Sequence, residues 1–218
     1  YDKSFAKQLG VTGDDVSEFV SNEANLKRMQ DIPHTCTDDE LLIHCVAAKR
    51  IIDIYRNTSQ PVVAFWQLCN DAIVSCLAKG KEYEFKCIKF GKERIQLPSG
   101  LALRYPNLEG IPDDKGRVQW HYGGDDKLKP KKLYGGKIVE NIVQAVARCV
   151  MTDGMLRIQK KYPCVLTVHD EVVVLVPESE AEEAETWVHA QMVTDPKYMS
   201  GIPLDAETGC AKRYGEAK

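Results

Sequence analysis

Cys164-Val165-Leu166-Thr167-Val168-His169-Asp170-Glu171-Val172-Val173-Val174-Leu175-Val176-Pro177 is the stretch on which the reading of the whole chain depends. Two valine-rich runs, Val165 to Val168 and Val172 to Val176, lie between Pro163 and Pro177. Runs of this length and composition favour buried strands over helix. They predict a tight hairpin with His169, Asp170 and Glu171 at its tip. Burying two carboxylates without a cation is costly, so the tip is either a solvated turn or a metal site.

On the N-terminal side, Lys137 to Lys161 carries the cleanest helical period in the chain, with Ile138, Ile142, Val146, Cys149 and Val150 along one side. At about 100° per residue, Lys137, Asn141, Gln144 and Arg148 fall within an arc of about 60°, forming one stripe of long hydrogen-bonding side chains. On the C-terminal side, Ser179 to Met192 reads as a helix with Ala181, Ala184, Trp187, Val188 and Met192 inward. Ile202-Pro203-Leu204-Asp205-Ala206-Glu207 reads as a terminal strand. Helix, hairpin, helix and strand make an α+β unit with an antiparallel sheet.

Further upstream, Leu101, Leu103 and Tyr105 alternate with Ile95 and Leu97 around Pro98-Ser99-Gly100, a hairpin signal. Residues 106–133 read as a surface excursion with one short strand at Val118–Tyr122. Thr37-Asp38-Asp39-Glu40 is a capping box opening a long helix to about Arg56. After Asn57-Thr58-Ser59-Gln60-Pro61, a second apolar helix runs to Gly80. Residues 21–38 are expected to be a loop or lid with partial helix. Short helical patterns at Lys3–Leu9 and from Asp14 or Asp15 to Phe19 precede them.

Bulk properties narrow the possibilities. With 44% hydrophobic residues in 218, the chain can bury a real core. The longest apolar runs fall short of a bilayer span, and no basic region precedes an apolar signal core, so neither membrane nor export is expected. The eight cysteines form no C-x-x-C pair and are read as reduced thiols in a cytoplasmic protein. The net charge of −3 is unevenly spread. Lys127, Lys129, Lys131, Lys132 and Lys137 cluster, while Glu178 to Glu185 is acidic. The lysine cluster on its own reads as a solvated loop.

Asp170 and Glu171 are adjacent, so they cannot face each other as a general acid/base pair. A divalent ion makes better use of them, because magnesium takes one or two protein carboxylates and leaves the remaining positions to water and phosphate. A two-metal phosphoryl transfer needs a second aspartate from elsewhere. A His-Asp doublet in a helical phosphodiesterase is the competing assignment. It fits poorly, since His34, His44, His121 and His189 show no complementary spacing and the doublet lies between strands.

Thr167-Val168-His169-Asp170-Glu171-Val172-Val173-Val174-Leu175-Val176-Pro177 resembles motif C of family A DNA polymerases, the group of bacterial polymerase I and many phage replicative enzymes. Tyr134-Gly135-Gly136-Lys137-Ile138-Val139-Glu140-Asn141-Ile142-Val143-Gln144-Ala145-Val146-Ala147-Arg148 resembles the helix preceding motif C in phage members. Leu97–Tyr105 resembles a hairpin, and Ile202–Glu207 the C-terminal strand, of the same enzymes.

The resemblance implies an α+β fold: an antiparallel palm-type sheet whose motif C hairpin packs on helices, preceded by a helical fingers segment. It implies a fingers-derived segment at 1–80 with an insertion at 21–38, a hairpin and excursion at 81–133, and a palm subdomain at 134–218. Asp170 would bind catalytic magnesium and Glu171 would support it. His169 would reach the primer strand, Gln144 and Asn141 the minor groove, and Lys137 and Arg148 the phosphates.

Two features of the family are missing: the motif A aspartate and the motif B arginine and lysine that grip the incoming deoxynucleoside triphosphate. The chain, which begins at Tyr1, therefore resembles the C-terminal part of a DNA-directed DNA polymerase. Its expected partners are primer-template DNA, the nucleotide, and the polymerase remainder carrying motifs A and B and the second carboxylate of a two-magnesium site. It is expected to be inactive alone and, if phage-encoded, cytoplasmic in a bacterial host. A non-catalytic DNA-binding subunit or assembly module of a split polymerase is the alternative.

Overall fold

The computed structural model describes residue 6 and residues 8–124 and 129–217. Two compact units divide between Phe65 and Trp66. The sequence-drawn boundaries at 80 and 133 both fall inside the second unit. Lys127 and the first residues of the Lys3–Leu9 pattern lie outside the described residues.

The first unit is helical: α1 (Gly13–Ser21), α2 (Glu23–Gln30) and α3 (Asp38–Thr58). Thr12, not Asp14 or Asp15, caps α1. Its hydroxyl accepts from the Asp15 amide while the Asp15 carboxylate accepts from the Thr12 amide. The same reciprocal box at Thr37 and Glu40 opens α3 as the sequence predicts. Arg50 of α3 donates to Asp15 at 3.0 Å and to the Leu9 carbonyl at 2.7 Å, tying the start of α1 to the long helix. The bonds from Thr12, reinforced by Arg50, hold the Asp15 carboxyl below its usual range. Within 21–38, α2 is better formed than expected, because Asn22 accepts from two backbone amides at its start.

After α3 the chain breaks at Ser59 and continues as α4 (Gln60–Ala72), which passes into a π-helical segment, Ile73–Ala78. Together these 19 residues are long and apolar enough to cross a membrane by length and composition alone, although no uninterrupted apolar run is. Cys69, Ala72, Ile73, Cys76 and Leu77 nevertheless lie in the core of the second unit. Burial pushes the Cys69 thiol up to about 12, whereas Cys210 is exposed. At pH 8, a maleimide is expected to label Cys210 quickly and to leave Cys69 unmodified until the chain is unfolded. Peptide mapping of the alkylated protein checks this.

The second unit then builds three antiparallel sheets. The first is a meander of β1 (Tyr83–Phe85), β2 (Ile88–Gly91), β3 (Arg94–Gln96) and β4 (Ala102–Arg104). Phe90 pairs with Ile95 and Ile95 with Leu103, and the fully buried Phe90 and Ile95 form its core face. The predicted turn between β3 and β4 is present, with Gly100 at φ +84°.

The 106–133 stretch has more strands than the one expected at Val118–Tyr122. It forms a second sheet of β5 (Glu109–Pro112), β6 (Val118–Tyr122) and β7 (Lys131–Leu133). The first of these strands escapes sequence reading because all four of its residues are exposed and none alternates. Gly110 sits opposite Trp120, and a Cβ there would lie 2.7 Å from Val118.

α5 (Gly135–Ile158) buries Ile138, Ile142, Val146 and Cys149 of the predicted face, leaves Val150 half-buried, and adds Val139, Met151 and, about two turns beyond Val150, Ile158. It packs on α6 (Ala181–Met192) where Gly154 admits Met192, a Cβ at 154 falling 3.0 Å from its sulfur. Arg157 then donates to the carbonyls of Gln191 and Thr194 near the end of α6.

The hairpin β8 (Cys164–Val168) and β9 (Glu171–Val174) is the third sheet, and among the described residues it pairs with nothing else. Its valine runs are therefore not the buried strands predicted. Val165 is 52% and Leu175 62% exposed, and none of the residues of β8 or β9 is buried. Among the described residues the terminal strand does not form: residues 202–210 have no ladder partner there, and Thr208 donates to Glu185 and His189 faces Asp205 at 3.8 Å, both on α6.

Candidate functional site

Glycine and asparagine seat the helix that carries the polar stripe. The Gly135 amide donates to Asn70 Oδ1 at 2.6 Å, and a Cβ at 135 would lie 2.1 Å from the Trp66 carbonyl oxygen. The first turn of α5 is thus pressed directly on α4, which fixes which way the helix is rotated and hence which way the stripe faces.

The hairpin is strapped along that helix at both ends. At its base the Cys164 amide donates to Gln159 Oε1 at 2.7 Å, and at its tip Arg148 Nη1 donates to the His169 carbonyl at 3.3 Å. The eleven steps from Arg148 to Gln159 rise about 16 Å along the helix, and the five steps from Cys164 to His169 span about as much along the strand, so both straps can close at once.

The tip is tighter than the sequence suggests. Val168 pairs with Glu171, leaving only His169 and Asp170 in the loop. Glu171 is the first residue of β9, not part of the turn. A two-residue hairpin loop needs a positive φ, normally supplied by glycine or asparagine. Here His169 takes it, at φ +53°, which costs an L-residue about 1–2 kcal/mol. Strain of this kind gathers at functional sites. His169→Gly is expected to raise stability by about 1 kcal/mol, read as a higher thermal midpoint.

The stripe residues divide by engagement. Gln144 is exposed and, among the described residues, has no hydrogen-bond partner. Asn141 is half-buried and donates to the Tyr105 hydroxyl at 3.1 Å. The Tyr105 ring is buried and meets Tyr122 edge-on at 5.0 Å. Lys137 is held by Glu140 at 2.9 Å, and that hydrogen bond raises its pKa. Arg148 also approaches the Met151 sulfur at 3.1 Å. Its Nη1 is engaged at the hairpin tip, a contact that the sequence reading does not foresee.

His169 and Asp170 are exposed, and no hydrogen bond or ion pair occupies the Asp170 carboxylate among the described residues. Glu171 accepts from the Tyr214 hydroxyl at 2.5 Å. Sequence reading missed this partner, because Tyr214 lies 43 residues away in a tail with no periodic pattern. Tyr105 was visible only as the end of an alternating run. Because Arg148 grips the tip and Gln144 lies one helical turn before Arg148, the structure brings Gln144, His169 and Asp170 to one end of the hairpin.

Among the described residues, no cluster of three or more His, Cys, Asp or Glu side chains is arranged to hold a metal. What Asp170 offers is a single open carboxylate.

Comparison with known proteins places this arrangement in context. Over 170 residues the chain is 32% identical to the DNA polymerase of Bacillus phage SP02, a match taking in 72% of this chain and 26% of that protein. The chain spans about a quarter of the length of that relative. No protein-family model matches the chain, and no solved structure does.

Proposed function

We propose that this chain is the C-terminal fingers-and-palm portion of a family A DNA polymerase and contributes one magnesium carboxylate and part of the primer-template groove to nucleotidyl transfer. The observation that carries the reading is the open Asp170 at a strained two-residue tip, held one helical turn from the unengaged Gln144, in a chain similar to a phage DNA polymerase.

The donor set fits half a site. Asp170 offers hard oxygen ligands of the type magnesium takes, and the missing carboxylate belongs to a motif A strand outside this chain. When bound, paired magnesium ions activate the primer 3′-hydroxyl and stabilise the leaving pyrophosphate.

The chain's own residues do the positioning. Gln144 presents an amide to minor-groove acceptors, which differ little between base pairs and so suit a copying enzyme. Asn141 reaches the same groove with its Nδ2 tied to Tyr105 and its carbonyl oxygen left to accept. His169 stands at the tip toward the primer end. Glu171, braced by Tyr214, keeps the strand next to Asp170 in place. Arg148 shapes the tip through the His169 carbonyl, and Lys137, balanced by Glu140, is the weaker phosphate contact.

A second reading, the non-catalytic module of a split polymerase, is favoured by the uncovered apolar hairpin edges at Val165, Leu166 and Leu175, which invite a partner strand. One experiment separates the two. The chain is assayed for magnesium-dependent primer extension alone and after joining to the portion carrying motifs A and B. Extension only by the joined protein supports the first reading. Extension by the isolated chain, abolished by Asp170→Ala, overturns its incompleteness. Failure of the joined protein leaves the module.

A further inference from the structure

The β2–β3 turn forms a second basic surface remote in sequence from the hairpin. Gly91 pairs with Arg94 across it, leaving Lys92 and Glu93 as a two-residue loop with Glu93 at φ +51°. The Glu93 amide donates to the Leu77 carbonyl at 3.0 Å, the Tyr105 amide donates to the Glu93 carbonyl at 2.8 Å, and Glu93 Oε1 accepts from the Leu108 amide at 3.1 Å. These bonds, one to Leu77 and two to the 105–108 segment, make this loop rigid, and one of them engages Glu93 Oε1.

Beside the loop lies an open concavity of about 440 Å³. Gly80 and Gly91 form part of its wall. A Cβ at Gly80 would meet Lys92 at 3.5 Å and one at Gly91 would meet Arg94 at 3.6 Å, ordinary contact distances that place the two basic side chains against this wall.

The charges are arranged as a fold on its own would avoid. Arg94 and Arg104 sit directly opposite each other on β3 and β4, a like-charge pair that destabilises a sheet. Both are exposed, as is Lys92, and among the described residues none of the three has a carboxylate within ion-pair distance. Nearby Lys89 is balanced by Glu84 at 2.8 Å. Glu82 and Glu93 are the acids at the concavity, against the three cations Lys92, Arg94 and Arg104.

We infer that this concavity is a phosphate site for a nucleic-acid strand, with Arg94 and Arg104 gripping the phosphodiester backbone and Lys92 adding charge from the rigid turn. Guanidinium forks suit phosphate oxygens, and a nucleic-acid backbone supplies the anion that separates two opposed arginines. The inference deepens the polymerase reading, on which it rests for the choice of DNA as the strand.

The test is fluorescence anisotropy of the full chain with a labelled primer-template, over a series of salt concentrations. Arg94→Ala/Arg104→Ala is expected to weaken binding about tenfold or more near 0.1 M salt, and to reduce the slope of log K against log salt by about 2. Arg104→Glu guards against misfolding. It creates an opposite-charge pair with Arg94, so its thermal midpoint should match or exceed that of the parent while its DNA binding falls.

Parent-like affinity and slope in the double variant overturn the inference, as does a parent chain with no salt-dependent binding. Displacement of the oligonucleotide by equimolar deoxynucleoside triphosphate or pyrophosphate overturns the assignment to a strand in favour of a free phosphate. If Gln144→Ala weakens binding and the double variant does not, the concavity fails and the polymerase reading stands. If the double variant weakens binding while Asp170→Asn leaves extension by the joined protein intact, the reverse holds.

Discussion

Asp170→Asn is expected to reduce primer extension by the joined polymerase by at least about a thousandfold, equivalent to about 4 kcal/mol of transition-state stabilisation. The side chain is exposed at a two-residue turn and has no structural task among the described residues. Asparagine keeps the shape and tolerates turns, so the thermal midpoint should stay within the shift of an ordinary surface substitution, about 0.5 kcal/mol either way. On the proposed function, the substitution removes the negative charge that would hold a divalent cation, which a neutral amide cannot replace. Glu171→Gln should cost far less, about tenfold, because Tyr214 can still donate to the amide oxygen and the strand remains in place. Extension by Asp170→Asn within about tenfold of the parent would show that the tip is only a solvated turn.

Gly135→Ala is the substitution expected to damage the fold most. A methyl group at that position meets the Trp66 carbonyl oxygen at 2.1 Å and the Asn70 side chain at 2.8 Å, and neither can yield without moving α4 or breaking the bond that starts α5. The cost of such overpacking is about 3 kcal/mol, which for a chain of this size lowers the thermal midpoint by about 10 °C. Gly136→Ala is the matched control. Its nearest obstacle is the edge of the exposed Tyr134 ring at 3.3 Å, which can swing away. Differential scanning calorimetry of the pair separates close packing from ordinary helix propensity.

Where burial follows one element's own period, the chain was legible. Thr37 and Glu40 announced α3, the spacing from Ile138 to Cys149 announced the buried face of α5, and Pro98-Ser99-Gly100 announced the β3–β4 turn. The stripe from Lys137 to Arg148 was legible as a face. What each member does there was not, because the partners Tyr105 and the His169 carbonyl come from 36 and 21 residues away. β5 was missed since an exposed strand has no apolar alternation to betray it. The valine runs of β8 and β9 misled for the opposite reason. They carry the composition of buried strands, yet none of their residues is buried here. Ile202–Glu207 has strand composition too, but no strand pairs with it among the described residues.

The short loop at the hairpin tip also limits how this protein can vary in length. An extra residue between Val168 and Glu171 would break the pairing and lift the His169 carbonyl away from Arg148, turning Asp170 off its heading. The Asp113–Arg117 turn between β5 and β6 is exposed apart from half-buried Asp113, whose carboxylate organises the amides of Lys115 and Arg117. Added residues there alter only a local loop. Length polymorphism among natural variants should therefore collect at 113–117 and be absent at 168–171, a record of selection readable without any assay.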